Sequence, residues 1–146
     1  MGEPFSRWIC DVCGLDIEGR EQGYVLWSRD DARGYHDFKI IHRGTCDKDQ
    51  QAYSAALDEF LGMDGIARLT ALMSDGIVRN TLGANPRVNK ISEIDHFVDF
   101  FRRVQLSHYE DARQLYMNPE SAREFADAGE SLPYLQRSLE RVAREN

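Results

Sequence analysis

Residues 8–14 read WICDVCG and residues 42–46 read HRGTC. The first segment sets Cys10 and Cys13 two residues apart with Gly14 directly behind them. In such a turn two thiolates converge on one cation, backbone N–H groups point at the sulfurs, and glycine permits the sharp exit. The second segment adds His42 and Cys46 as HxxxC, so the chain holds a complete Cys3His donor set, CxxC-x28-HxxxC. Three thiolates and one imidazole form a soft shell that selects zinc, and four protein ligands leave no open coordination position. The sequence therefore predicts one structural zinc per chain, held by Cys10, Cys13, His42 and Cys46. His36 also precedes Cys46 and is the rival for the fourth ligand, but it lies nearer the tip of the segment that carries it.

Two other uses of the cysteines are disfavoured. A thioredoxin-like redox pair needs its CxxC to leave a strand and open a helix, whereas here Gly14, Gly19 and Gly23 follow. Three cysteines cannot all pair within one chain, and the N-terminus MGEPFSRWIC has neither a basic start nor an apolar signal segment, so a disulfide framework is not expected. The expected address is the cytoplasm.

Around this centre the pattern changes along the chain. Two apolar runs, Tyr24 to Trp27 and Phe38 to Ile41, flank the polar stretch SRDDARGYHD and read as a β-hairpin with a long charged tip. From Asp47 the period becomes helical, with Tyr53, Ala56, Leu57, Phe60 and Leu61 on one face and Gly62 as a stop. Ile66, Leu69, Thr70 and Met73 predict a second short helix ending at Gly76. Residues 76–90, GIVRNTLGANPRVNK, read as a loop. Further helices are expected after Ser92, after Ser107, after Asn118-Pro119 and after Ser131, with the stripe Ile94, Phe97, Val98, Phe101 and Val104 as the broadest apolar face.

The order of knuckle, hairpin and helix, with ligands from the CxxCG turn and from the segment entering the helix, resembles a treble-clef zinc finger over residues 8–62. The resemblance implies a fold group that serves many roles, from nucleic-acid readers to protein and lipid binders and nucleases. The expected class is α+β: a zinc-binding head at 1–62 continuous with an all-α remainder of about five helices at 63–146, packed on the head.

Charge bounds the function. Eighteen basic residues, 15 of them arginine, stand against 25 acidic ones, for a net charge of −7, the wrong sign for a protein whose whole surface grips phosphate backbones. Nucleic-acid binding would have to be local, and the loop with Arg79, Arg87 and Lys90, free of acidic residues, is where it would sit. No glycine-rich phosphate loop or nucleophile elbow is present, and residues 47–61 offer no histidine or asparagine to hold a catalytic divalent ion beside His36-Asp37. The expectation is a non-catalytic interaction or regulatory protein with zinc as its only cofactor and another protein as its partner, of the kind found in transcription, phage–host or defence machinery. Nucleic-acid binding through the zinc head and the loop is the alternative, and nuclease activity the third reading.

Overall fold

The computed structural model describes residues 5–31, 34–47, 51, 53–83 and 90–145. Among these the chain is a mixed α+β structure with five strands in two small antiparallel sheets and six α-helices. Strands β1 (Arg7–Ile9) and β2 (Asp16–Glu18) form the smaller sheet, and the CxxCG turn is the connection between them. Strands β3 (Gly23–Arg29), β4 (Tyr35–His42) and β5 (Tyr53–Ala56) form the larger one in the order β4-β3-β5.

The hairpin is where the apolar runs predict it, but its arms reach further. Pairing continues to Arg29↔Tyr35, so half of the expected polar tip, residues 28–29 and 35–37, is strand. The register shifts between Leu26 and Ser28, where Asp37 adopts φ 60°; this bulge re-aims the outer part of β4. Beyond it the tip docks on the helical part, because Tyr35 pairs with Ile91 and the Ser92 hydroxyl donates to Asp30.

The helix expected from Asp47 is absent from the described residues. Tyr53–Ala56 is strand β5, paired with β3, and Leu57–Phe60 is a single 3-10 turn. The same apolar positions serve both periods over so short a stretch, and the open edge of β3 decides between them. Trp27, with Phe38 and Tyr53 stacked on either side at 5.7 and 5.8 Å, forms an aromatic row across all three strands. Leu57, Phe60 and Leu61 are buried as expected, in a different element.

Helix α1 runs Gly62–Met73, opening at Gly62 rather than ending there. Gly76–Thr81, expected as loop, is helix α2, and residues 84–89 of that predicted loop, Arg87 among them, lie outside the described set. Helix α3 spans Ile94–Gln105, α4 Tyr109–Tyr116, α5 Pro119–Arg123 and α6 Gln136–Arg144. Asn118 caps α5 as expected, its side chain accepting from the Glu120 N–H. Neither α3 nor α4 has a side-chain cap at its start: Ser92 is engaged by Asp30, and Glu110 turns inward to Arg103.

The main core draws on both parts of the chain. Val25, Leu26, Ile40 and Ile41 from the sheet pack with Leu57, Phe60, Leu69, Phe97, Phe100 and Val104. Phe38 bridges them, lying 5.1 Å from the rings of both Phe97 and Phe100. The buried face of α3 is therefore Phe97, Phe100, Arg103 and Val104, rotated from the expected stripe, with Ile94 exposed. A second, smaller cluster joins Tyr109 and Ala112 of α4 to Leu139 and Val142 of α6. Among the described residues, no helix is long and apolar enough to cross a membrane.

Candidate metal centre

The centre is built on local hydrogen bonds that the sequence dictates. Cys10 N–H donates to the Leu15 carbonyl (2.9 Å) and Gly14 N–H to the Cys10 carbonyl (3.0 Å), closing the turn, and Gly14 sits at φ 76°, which suits a residue without Cβ. That turn aims the Val12 and Cys13 N–H groups at the Cys10 sulfur, at 3.4 and 3.5 Å. On the other side His42 ends β4, and the chain turns back through Gly44, at φ 83°, so that Cys46 N–H donates to the His42 carbonyl at 3.2 Å.

The two pieces converge. The three sulfurs and one imidazole nitrogen of Cys10, Cys13, His42 and Cys46 lie within 4.8 Å of one another, an arrangement that could hold a metal ion such as zinc. His42 Nδ1 is 3.3 Å from the Cys13 sulfur and 3.6 Å from the Cys46 sulfur. Zinc bonds of about 2.3 Å to sulfur and 2.0 Å to nitrogen at a tetrahedral angle separate the two donors by roughly 3.5 Å, so the donors fit that ion. The opposite ring nitrogen, Nε2, donates to the Asp16 carbonyl at 2.8 Å, which leaves Nδ1 as the free lone pair and fixes the ring.

Electrostatics favour a deprotonated Cys10. Burial pushes its thiol up, but the Cys13 and Val12 N–H groups and His42 outweigh this and bring it down to about 6. His42 is raised, chiefly by its bond to the Asp16 carbonyl, and the Cys46 thiol is raised by burial. Two thiols and an imidazole crowded beside a thiolate form a site that a divalent cation relieves.

No protein-family model matches the chain, and no curated protein or solved structure matches it either. The chemistry therefore rests on the residues themselves.

Of the other residues singled out in the sequence, His36 pairs with Ser28 near the outer end of β4. Six residue steps of strand, roughly 20 Å, take the chain from it to His42. Arg79 is exposed on α2. Lys90 is buried, its Nζ 3.2 Å from Asp75 and donating to the Ala71 carbonyl at 2.7 Å, so its charge is used inside the fold rather than offered to a ligand. Trp8 is buried in the main core beside Cys10, its indole N–H donating to the Arg103 carbonyl at 3.0 Å, and Trp27 belongs to the aromatic row of the sheet.

Sequence reasoning missed the residues that anchor the knuckle. Asp11, between the two cysteines, donates its backbone N–H to the Ile40 carbonyl at 2.8 Å and accepts the Ile40 N–H on its carboxylate at 2.7 Å. The same carboxylate takes Arg103 Nη1 at 2.8 Å. Arg103, 3% exposed, makes a two-pronged pair with Glu110 (2.8 Å on each prong) and donates to the Ile9 carbonyl (2.9 Å). Burial alone would lower the guanidinium's pKa; Glu110 and Asp11 raise it and keep the charge. The available signal was an arginine in phase with Phe97 and Phe100 on the inward face of α3.

Proposed function

We propose that this chain is a non-catalytic, zinc-stabilised module that acts by binding another protein. The observation that carries the reading is the closed donor set: four protein ligands satisfy a tetrahedral ion and leave no position for water or substrate, so the metal would supply folding energy rather than reactivity. The anchoring of the knuckle through Asp11 to a buried Arg103 fits a structural role, since it ties the site into the core. The net charge of −7 favours a basic protein partner over a polyanion. The treble-clef reading belongs here too. The knuckle and hairpin support it, while β5 and the late start of α1 at Gly62 replace the helix that the resemblance puts directly after Cys46.

Nucleic-acid binding is the second reading, and its basic loop is weaker than the sequence suggests. Lys90 is committed to Asp75, which leaves Arg79 as the exposed cation of that loop among the described residues. The test is titration of labelled DNA and RNA with the zinc-loaded protein, alongside reconstitution with a purified candidate partner taken from the native host. The reading predicts a saturable protein complex and only weak, salt-sensitive nucleic-acid contact. Tight DNA or RNA binding near physiological salt that is lost in the Arg79→Gln/Arg87→Gln variant, or metal-dependent cleavage, would overturn it.

A further inference from the structure

A cavity of about 300 Å3 is walled by the larger sheet and helix α1, at the lower end of the size range of small-molecule sites. Its apolar lining is Trp27, Tyr35 and Ala55 from the three strands, Phe60 from the 3-10 turn, and Ala71 and Leu72 from α1. Alanines at 55 and 71, one on the sheet and one on the helix, leave the space open. Three charged residues share the lining. Lys90 is already neutralised by Asp75 at 3.2 Å. Glu59 and Arg68 hold each other loosely: Arg68 Nη1 stands 3.8 Å from Glu59 Oε1, and their side chains are 52% and 45% exposed, which places them at the mouth. A pair so exposed is screened by water and contributes little, so a ligand replaces each partner at small cost.

We propose that this cavity binds a free α-amino acid with a large apolar side chain, of the size and shape of phenylalanine. The apolar lining takes the side chain, the Glu59 carboxylate accepts from the α-ammonium group, and the Arg68 guanidinium donates to the α-carboxylate. Charge selects this ligand. The mouth holds one acidic and one basic group, and Lys90 is offset by Asp75, so a zwitterion satisfies both mouth groups whereas an amine or an acid alone leaves one of them without a partner. The two charges of an α-amino acid branch from one carbon, which matches side chains set 3.8 Å apart. Size selects the side chain. At about 30 Å3 per water the cavity holds roughly ten non-hydrogen atoms, enough for a benzyl group and its α-carbon with both charged groups at the mouth. Glycine or alanine would leave most of that space unfilled, and the rings of Tyr35 and Phe60 suit an aromatic side chain.

This inference goes beyond the protein-partner reading, and either can fail without the other. Chemical-shift titration of the zinc-loaded chain with L-phenylalanine tests it, followed at the methyl groups of Ala55, Ala71 and Leu72. The expected result is saturable binding with a Kd of about a millimolar or tighter. Two analogues separate a free amino acid from the end of a partner chain. Phenylalaninamide, which lacks the carboxylate, and N-acetylphenylalanine, which lacks the ammonium group, should each bind about tenfold more weakly. Arg68→Gln should weaken phenylalanine and leave phenylalaninamide unchanged; Glu59→Gln, which keeps an acceptor for the Ala56 N–H, should weaken phenylalanine and leave N-acetylphenylalanine unchanged. Ala71→Leu, at an exposed position of α1, should fill the cavity and abolish binding while circular dichroism matches the parent. No saturable shift at about 10 mM phenylalanine, analogues that bind as tightly as the amino acid, or charge variants that weaken all three ligands alike would overturn the proposal.

Discussion

Arg103 on α3 donates from Nη1 to the Asp11 carboxylate at 2.8 Å, across 92 residues of sequence, and Asp11 is one of the two residues between the ligand cysteines. The knuckle thus takes its orientation from the helical part of the chain as well as from its own turn. A buried ion pair of this kind adds little net stability compared with apolar packing, but removing one member strands the others.

Replacing Arg103 is therefore expected to act twice. Arg103→Ala leaves Glu110 buried and Asp11 half-satisfied, and should destabilise the zinc-loaded protein by about 3–5 kcal/mol in urea unfolding. The same change should speed zinc loss to a chelator, because Asp11 no longer holds the turn. Arg103→Ala with unchanged chelator kinetics would uncouple the helical anchor from the metal centre.

The histidines separate cleanly. His42→Ala should lower zinc retention as strongly as Cys13→Ser or Cys46→Ser, because Nδ1 faces two of the sulfurs. His36→Ala, on the far end of β4, should retain the full metal content. Metal analysis of the purified variants decides between the two positions.

Gly65 gives a prediction whose sign runs against helix propensity. Alanine is the better helix former by about 1 kcal/mol, yet a Cβ at Gly65 would lie 2.2 Å from the Phe60 carbonyl oxygen and 2.8 Å from Gln105 Nε2. Gly65→Ala should therefore lower stability, by roughly 1–3 kcal/mol as overpacking does elsewhere, and reduce the melting temperature. A rise in melting temperature would mean that α1 can move away from the 3-10 turn before it.

The acid limb of stability should carry a contribution from Asp99. Burial pushes its carboxyl up, but Arg113 and the Tyr109 hydroxyl outweigh that and hold it below the usual aspartate range. A depressed folded value gives stability that is complete above the unfolded pKa of about 3.9 and is lost as pH falls from there towards the folded value. The stability difference between the parent and Asp99→Asn should therefore be constant near neutrality and shrink below about pH 4. Urea midpoints compared at each pH measure it, with both proteins losing zinc alike.

The clustering of Cys10, Cys13, His42 and Cys46 was legible because it is built locally: CxxCG and HxxxC need only short turns to present their donors. The hairpin was legible from Tyr24–Trp27 and Phe38–Ile41 for the same reason. Tyr53–Ala56 was not, since four residues satisfy a helical and a strand period equally well and the unpaired edge of β3, remote in sequence, makes the choice. Residues 76–81 read as loop because α2 buries nothing, so no periodic face marks it. Arg103 was hidden by its type. A charged residue on an apolar stripe signals a buried network only when its partners, here Asp11 and Glu110, are known to converge on it.

X-ray absorption at the zinc edge tests the centre most directly, on the 146-residue chain purified without added metal and then loaded with one equivalent of zinc. The predicted result is a single tightly held zinc with three sulfur neighbours at about 2.3 Å and one nitrogen at about 2.0 Å. A shell containing a water oxygen, fewer than three sulfurs, or no retained zinc at all would contradict a closed structural site built from Cys10, Cys13, His42 and Cys46.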